Sequence, residues 1–266
     1  MSIKGIIKQA VMRIYTARQY VELFHLLFIN QLSRKLDKKC YALKGGVNMR
    51  FFFKSPRYSD DIDFDLQTIR IDALKKKIGD ILDSKPFHDI LQTRNIQIEH
   101  VTEHKQTETT QRWKLGLACT LIRQTLPTKI EFSRRRRFGE TVRFEFIAPE
   151  IVRLYEMSLL MVTHYSPESA FKQKIDAIIS RSETQARDIF DLYLLLTSQL
   201  EKIPHLKRYP GDLNQARENI LSTSFAAFKS EVISYLEPDI QKQYNSVDVW
   251  DDIRLKVTEA LVRNMP

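Results

Sequence analysis

Two aspartates stand where carboxylates can act together on a cation. Asp61 and Asp63 are two residues apart, and the residues that alternate with them, Ile62 and Phe64, are apolar. In a strand this spacing places both carboxylates on one face and both apolar side chains on the other. Like charges this close are costly unless a cation neutralises them, and carboxylate oxygens are ligands that Mg²⁺ accepts. The pair therefore predicts a magnesium site on the polar face of a strand.

A third carboxylate can come from a neighbouring strand. Glu131 lies between Ile130 and Phe132 in a second alternating segment, so we expect its side chain to point away from the core as well. An Asp-x-Asp pair alone occurs often by chance, and the later apolar–acidic–apolar segment strengthens the interpretation. We therefore expect Asp61, Asp63 and Glu131 to converge on one metal site.

A glycine pair precedes the acidic strand. The chain contains only 7 glycines, yet Gly45 and Gly46 are adjacent. Glycine permits a tight turn whose backbone N–H groups approach a phosphate group. Ser59, just before the two aspartates, could add a hydroxyl to the same phosphate. A simple turn is the alternative interpretation, and the position of the pair before the acidic strand favours a functional one.

A second group of charged residues lies among apolar neighbours further along the chain. Its members are Lys174, Arg181, Asp188 and Asp191. The first three are spaced by seven residues, so on one continuous helix they would share a face, with the fourth beside them. A solvated face with ion pairs is the competing interpretation. Ser182 and Thr184 could also interrupt the helix, and the argument from spacing would then fail.

Four consecutive arginines follow the segment that carries Glu131. They are Arg134, Arg135, Arg136 and Arg137. Such a run can bind the backbone of a nucleic acid beside an active site, or it can form a solvated loop. Because the run directly follows the Glu131 strand, we expect it to emerge at the rim of the site and to bind a nucleic-acid acceptor.

The surrounding pattern predicts the elements that must position these residues. Thr16 and Gln19 fit a capping box before apolar residues at helical spacing, and another helix is expected near residues 72–82. Alternating segments from about Leu43 onward predict strands, and from Pro149 the pattern predicts helices alone.

Together these elements predict an α+β fold, with a mixed sheet and a C-terminal helical bundle. We expect one domain over residues 1–150, made of N-terminal helices and the sheet. A helical domain is expected over residues 151–266.

Composition narrows the classes of function. The chain has 266 residues, a formal net charge of +9 and 43% hydrophobic residues. This is a globular composition, and the basic excess favours an anionic partner such as a nucleic acid. The apolar stretch 20–29 is interrupted by Glu22 and His25, so no membrane-spanning segment is expected. Two cysteines, Cys40 and Cys119, favour a reducing cytoplasm over a disulfide framework.

Both charged regions resemble those of a known enzyme superfamily. The first resembles the signature of the polymerase-β-like nucleotidyltransferases, which is a Gly-Gly or Gly-Ser turn, an Asp-x-Asp strand and a later acidic strand residue. The matching residues are Gly45, Gly46, Asp61, Asp63 and Glu131. The second resembles a motif of the AbiEii/AbiGii-type toxin nucleotidyltransferases of toxin–antitoxin and abortive-infection systems. The matching residues are Lys174, Arg181, Arg187, Asp188 and Asp191.

The resemblance implies a polymerase-β-like nucleotidyltransferase core. Its reaction moves a nucleoside monophosphate from a nucleoside triphosphate to an acceptor hydroxyl. Two Mg²⁺ ions, with Mn²⁺ as the alternative, would be held by the three carboxylates. Lys174 and Asp188 would be catalytic. The nucleotide-binding residues would be Lys44, Gly45, Gly46, Ser59, Arg181 and Asp191.

The resemblance also implies a biological setting. It points to a toxin that acts on RNA, with tRNA 3′ ends as the acceptor, and to a separately encoded antitoxin. Two other functions stay open: transfer to a hydroxyl of a protein or small molecule, and a non-catalytic basic RNA-binding module. The set of three carboxylates argues against the last, because a non-catalytic protein has no use for their mutual repulsion.

Overall fold

The computed structural model describes residues 14–134, 142–204 and 212–263. In these ranges the chain forms eleven α-helices, one 3-10 helix at Ile233–Tyr235 and a seven-stranded sheet. The helices are α1 Ala17–Lys35, α2 Gly45–Phe52, α3 Ile71–Leu82, α4 Lys85–Thr93, α5 Pro149–Leu154, α6 Pro167–Ser180, α7 Ala186–Ser198, α8 Asp212–Ser222, α9 Phe225–Glu231, α10 Pro238–Tyr244 and α11 Val247–Arg263. The strands are β1 Tyr41–Lys44, β2 Asp61–Leu66, β3 Ile96–Gln106, β4 Thr110–Cys119, β5 Ile122–Arg134, β6 Val142–Phe146 and β7 Met161–Tyr165.

The sheet is mixed, as the sequence predicted. Its strand order is β3-β4-β5-β2-β1-β7-β6. The central strand β2 runs antiparallel to β1 and parallel to β5. In that register Asp63 lies beside Glu131 on one neighbour and beside Lys44 on the other. The sheet therefore brings three segments that are distant in sequence to one place.

One face of the sheet carries the first apolar core. Phe64 of β2 stacks on Phe132 of β5 with ring centroids 4.9 Å apart, and Phe28 of α1 lies 6.5 Å from Phe64. Helices α1, α3 and α4 cover this face. Because side chains alternate along a strand, burial of Ile62 and Phe64 turns the intervening aspartates to the opposite face.

The C-terminal helices form a second apolar core of their own. Phe228 of α9 stacks on Trp250 of α11 at 4.3 Å, and Phe190 of α7 packs beside them. Met49 within α2 and Phe53 directly after it belong to this core as well. Helix α2 therefore ties the helical core to the sheet, directly after the glycine pair.

Several sequence predictions can be compared with these elements. The capping box of Thr16 and Gln19 is present at the start of α1, and α3 covers the predicted helix at residues 72–82. The prediction of helices alone after Pro149 is wrong, because β7 joins the sheet beside β1. The division into domains 1–150 and 151–266 stays a prediction.

Strand β7 has a local reason to form. Its sequence, Met-Val-Thr-His-Tyr, contains β-branched and aromatic side chains that favour strands. It pairs with the otherwise open side of β1, a partner that the local pattern could not reveal. Across residues 14–134, 142–204 and 212–263, no helix combines the length and apolar character needed to cross a membrane.

Candidate active site

The predicted carboxylates line one large cavity on the polar face of the sheet. Asp61, Asp63 and Glu131 all border a cavity of about 980 Å³. Glu131 therefore lies on the same face as the two aspartates, as its place between two buried residues required. Asp65 follows on the same strand face and also borders the cavity, so the acidic row on β2 is longer than the sequence analysis considered.

The centre of this acidic row is short of compensating charge. Withdrawal from solvent raises the pKa of Asp63, and the charges of Glu131 and Asp61 raise it further. Lys129 and Lys44 act in the opposite direction without reversing the shift. Ionised Asp63 is therefore held in an unfavourable electrostatic position, which a bound cation would relieve.

Two basic residues that the sequence analysis missed lie against the carboxylates. Nζ of Lys129 is 3.0 Å from Oδ2 of Asp61 and 3.8 Å from Oε2 of Glu131. Arg112 on β4 donates from Nε at 2.7 Å and from Nη2 at 2.6 Å, both to Oε2 of Glu131. Lys129 could have been found from the sequence, because it is two residues from Glu131 and therefore lies on the same strand face.

With these basic partners in place, the three carboxylates are not arranged together as metal ligands. In the part of the chain that the structure describes, no group of three or more His, Cys, Asp or Glu side chains is arranged to hold a metal ion. The donor chemistry of Asp61 and Asp63 still suits a hard divalent cation. Glu131 would have to be released by Arg112 and Lys129 before its Oε2 could act as a ligand.

The glycine pair, which was expected to form a tight turn that approaches a phosphate, starts helix α2. Gly45 has φ +71°, and a Cβ there would lie 3.0 Å from Oδ2 of Asp63. A Cβ on Gly46 would lie 2.7 Å from Oγ of Ser59. Only glycine fits such close approaches. The pair thus brings the N-terminus of α2, with its free N–H groups, next to the acidic strand and Ser59.

Lys44 has a fixed position at the edge of the cavity. Its Nζ lies 2.5 Å from Oδ1 of Asp65, whose Oδ2 accepts a hydrogen bond of 2.7 Å from the Tyr165 hydroxyl. Tyr165 belongs to β7, the strand that the sequence analysis missed. The third aspartate of β2 therefore anchors a lysine that the sequence analysis assigned to the nucleotide.

The loop before β2 is held from two sides. The Thr128 hydroxyl donates to the carbonyl oxygen of Asp60 at 2.7 Å, and His25 contacts the same hydroxyl at 2.8 Å. The Tyr235 hydroxyl donates to Oδ2 of Asp60 at 2.6 Å. Burial lowers the pKa of His25 to about 3, so its ring is neutral in this contact. These bonds fix the chain one residue before Asp61.

The second charged region forms the opposite wall of the cavity. It does not lie on one continuous helix: α6 ends at Ser180 and α7 begins at Ala186, so the argument from seven-residue spacing is wrong. The break nevertheless lets α7 fold back beside α6. Nζ of Lys174 lies 2.8 Å from Oδ1 of Asp188 and 2.5 Å from Oδ2 of Asp191.

This helical wall neutralises its own charges. Burial disfavours the charged forms of Lys174 and Asp188, but their attraction outweighs it: the pKa of Lys174 is raised and that of Asp188 is lowered. Arg181 also pairs with Asp188, and Asp191 is fully buried. Lys174 and Asp188 are therefore held together as an ion pair, and both still border the cavity, as does Arg181.

Arg57 joins the two walls and was also missed. It precedes Ser59 in the loop before β2, and its Nη2 lies 3.3 Å from Oδ2 of the buried Asp191 on α7. Its side chain is only 4% exposed, and its Nε has no hydrogen-bond partner among the described residues. A Cβ on Gly46 would lie 3.1 Å from Nη2. A buried, partly unpaired guanidinium here favours an anionic ligand.

The prediction for the arginine run needs a correction at its first member. Arg134 lies three residues after Glu131 on β5, so its side chain leaves the opposite, core face of the sheet. Its Nε donates to the carbonyl oxygen of Ile69 and Nη1 to that of Thr107, and it also pairs with Gln111. These bonds direct the guanidinium of Arg134 to groups within the protein and away from the cavity. Arg135, Arg136 and Arg137 lie outside the described residues.

The cavity therefore combines two chemistries. One wall offers carboxylates that lack sufficient positive charge, which suits a hard cation. The other wall and the α2 N-terminus offer lysine, arginine and backbone N–H groups, which suit phosphate oxygens. Bringing a cation and several phosphates together is what phosphoryl and nucleotidyl transfer require.

Comparisons with known proteins agree with this chemistry. A family model described as "Nucleotidyl transferase AbiEii toxin, Type IV TA system" matches residues 26–246, which confirms the resemblance stated from the sequence. No curated protein sequence matches significantly.

Solved structures show the same fold. MenT4, a nucleotidyltransferase toxin from Mycobacterium tuberculosis H37Rv, aligns with TM-score 0.63 at 16% identity, over 92% of this chain and 84% of that chain. A Helicobacter pylori protein described as a nucleotidyltransferase aligns with TM-score 0.61 at 16% identity, over 95% and 96%. JHP933 from Helicobacter pylori aligns with TM-score 0.57 at 16% identity, over 94% and 96%. At such low identity these structures establish the fold alone.

Proposed function

The chain belongs to the AbiEii nucleotidyl transferase toxin family of type IV toxin–antitoxin systems, and from that premise we propose that it transfers a nucleoside monophosphate from a nucleoside triphosphate to RNA. Family membership makes it a nucleotidyltransferase with a nucleotide substrate and a cognate antitoxin. One observation carries the rest of the proposal: a single cavity of about 980 Å³ joins the acidic strand to the Lys174–Asp188 wall. That volume accommodates a nucleotide and leaves room for an acceptor.

We propose Mg²⁺, with Mn²⁺ as the alternative, as the cation of the acidic wall. Asp61 and Asp63 would hold it, because they offer hard oxygen donors and Asp63 lacks a sufficient counter-charge. When bound, the ion neutralises the triphosphate and lowers the pKa of the acceptor hydroxyl. Holding two ions would in addition require Glu131 as a ligand.

The triphosphate would lie between the two walls. The N–H groups of Gly45 and Gly46 and the hydroxyl of Ser59 would bind phosphate oxygens at the start of α2. The nearby basic residues would then take the remaining phosphate charge; they are Lys44, Arg57, Lys174 and Arg181. Asp188 and Asp191 would act by fixing Lys174, to which both are bound.

The chemical step is an in-line displacement at the α-phosphorus. The acceptor hydroxyl oxygen forms the new bond to that phosphorus, and the bond to the bridging oxygen breaks. Pyrophosphate leaves with the electron pair, and the hydroxyl proton passes to water in the open cavity. The side chains contribute mainly positioning and charge neutralisation, which is where most of the catalysis in such transfers originates.

RNA is the proposed acceptor class, with the tRNA 3′ end as the specific form. The net charge of +9 supports a polyanionic partner. Basic residues at the cavity border, among them Lys172 and Arg187, extend beyond what one triphosphate would need. The free thiols of Cys40 and Cys119 support a reducing compartment, so we propose the cytoplasm as the location.

The experiment is a labelling screen. The protein is incubated with each α-labelled nucleoside triphosphate, Mg²⁺ and total RNA, and the labelled species is identified after separation. We expect label in RNA, concentrated in the tRNA fraction, and none with the Asp63→Ala variant. Label in protein or in small molecules would transfer the proposal to those acceptors. Absence of label with every nucleotide, despite RNA binding, would support a non-catalytic module.

A further inference from the structure

Lys129 occupies an unusual place between the carboxylates. Its Nζ lies 3.0 Å from Oδ2 of Asp61 and 3.8 Å from Oε2 of Glu131. It is also the strongest attractive charge acting on Asp63. One ammonium group therefore faces all three carboxylates of the acidic wall, which is the position that a bound cation would take.

The other basic residue of this wall has a narrower role. Arg112 contacts Glu131 alone among the three carboxylates, through two nitrogens to one oxygen. The two Arg112 contacts fix the position of the Glu131 carboxylate. Its Oε2 is shared between Arg112 and Lys129. Glu131 in turn keeps a lysine on the site face of β5, two residues away, directed toward Asp61.

We infer that Lys129 is an internal counter-ion of the acidic wall: it stands in for the divalent cation, leaves when that cation binds, and moves its ammonium group to the phosphates of the nucleotide. The last step rests on the proposed function, whereas the first two concern the protein and the metal alone. A divalent ion on Asp61 and Asp63 would repel an ammonium group at 3.0 Å from Asp61.

The side chain is suited to such a transfer. Lysine carries a compact point charge on a flexible four-carbon chain, and it binds phosphates as readily as carboxylates. Lys129 is 24% exposed, so its head group can rotate into the cavity without unpacking the core. The competition would set the metal affinity: the cation binds well only when phosphates are present to receive the displaced lysine.

The test measures metal binding without nucleotide. Mn²⁺ affinity is determined by calorimetry for the unmodified protein, Lys129→Met, Lys129→Arg and Lys114→Met. Lys114 is the matched control, because it is an exposed lysine that lies beside Lys129 in the β4–β5 register. We expect Lys129→Met to bind Mn²⁺ about tenfold more tightly, Lys129→Arg to stay close to the unmodified protein, and Lys114→Met to change little.

Two further readouts separate the parts of the inference. In EDTA, Lys129→Met should melt below Lys114→Met, because the carboxylates lose their counter-ion, and added Mn²⁺ should raise its melting temperature by more than that of the unmodified protein. The KM for the nucleotide should rise severalfold in Lys129→Met, with a smaller change in kcat.

The outcomes are distinguishable from failure of the proposed function. Equal Mn²⁺ affinity and equal melting in EDTA for Lys129→Met and Lys114→Met would overturn the inference, as would a Lys129→Met variant that takes up no Mn²⁺. An unchanged KM for the nucleotide in Lys129→Met would contradict the last step, in which the ammonium group of Lys129 moves to the phosphates. If the metal results are as expected but no nucleotidyl transfer occurs, the counter-ion role is supported and the proposed function is wrong.

Discussion

The two walls of the cavity contain similar charged residues in opposite electrostatic states. On the helical wall, Lys174 bridges Asp188 and Asp191, and the pKa of Asp188 is lowered despite its burial. The strand wall is the acidic wall of Asp61, Asp63 and Glu131. There, burial and neighbouring carboxylates raise the pKa of Asp63, and Lys129 only partly compensates. The helical wall is complete within the protein itself. The strand wall reaches a favourable state only when a further cation arrives.

This difference indicates what each wall contributes. A closed network of buried ion pairs is costly to disturb, so its groups keep fixed positions and can orient a substrate. A row of carboxylates without sufficient counter-charge reduces stability but binds a cation strongly. Removing a carboxylate should therefore preserve or raise stability at the strand wall and lower it at the helical wall.

The largest expected effect is the loss of activity on removing Asp63. Asp63→Ala should lower nucleotidyl transfer by about a thousandfold or more, since the cation site and the charge neutralisation depend on it. Its melting temperature should stay the same or rise, because the change relieves repulsion within the acidic row. Transfer near the level of the unmodified protein would contradict the metal role of the strand wall.

The next effect should be on stability at the helical wall. Asp188→Ala removes the carboxylate that pairs with Arg181 and leaves Lys174 with Asp191 alone, and it should destabilise the fold by about 3 kcal/mol. For a chain of this size we expect a fall of about 10 °C in melting temperature by calorimetry. Asp239→Ala, an exposed helical aspartate, is the control. Similar melting temperatures for both variants would show that the helical wall is not a buried network.

A smaller effect tests the face of the sheet behind the cavity. Arg134→Ala removes hydrogen bonds to two backbone carbonyl groups and to Gln111, and should cost about 1 to 2 kcal/mol of stability. RNA affinity and its salt dependence should not change, because the guanidinium is engaged within the protein. A paired Arg135→Ala and Arg136→Ala variant tests the rest of the run. A flatter salt slope in Arg134→Ala itself would overturn its assignment to the core face.

The smallest expected effect is on the pH dependence of stability, which compares the two walls directly. Since the pKa of Asp63 is raised by folding, its ionisation costs stability at neutral pH, and protonation on acidification removes that cost. Asp63→Asn should therefore be more stable than the unmodified protein at pH 7. This advantage should shrink as the pH falls through the raised pKa of folded Asp63, and it should be gone below the ordinary aspartate pKa. Urea unfolding between pH 7 and pH 3 measures it.

The helical wall should show the opposite sign in the same titration. The pKa of Asp188 is lowered, so its stabilisation is present above the ordinary aspartate pKa and is lost as the pH falls through the folded value. The stability difference between the unmodified protein and Asp188→Asn should therefore decrease on acidification. Parallel curves for the two asparagine variants would mean that the walls do not differ electrostatically.

Much of the strand wall followed from the sequence alone. Alternation determines the face of each strand residue, so the directions of Asp61, Asp63 and Glu131 were predictable from their apolar neighbours. The glycine pair also stood out, because the chain has only 7 glycines and the pair precedes the acidic strand. The α+β class followed from the same local patterns, and the family followed from the resemblance of two motif regions to known enzymes.

The tertiary structure decided which charges meet. Arg57 and Asp191 are 134 residues apart, and their contact exists only because α7 folds back against α6 after the break at Ser180. The place of β7 depends on the free side of β1, which no local pattern encodes. Periodicity sets the direction of a side chain within its own element, whereas its charge partner is set by the register and packing of elements far away in sequence. For that reason the acidic row was visible in the sequence, whereas the contact of Lys129 with Asp61 and the closed network of the helical wall were not.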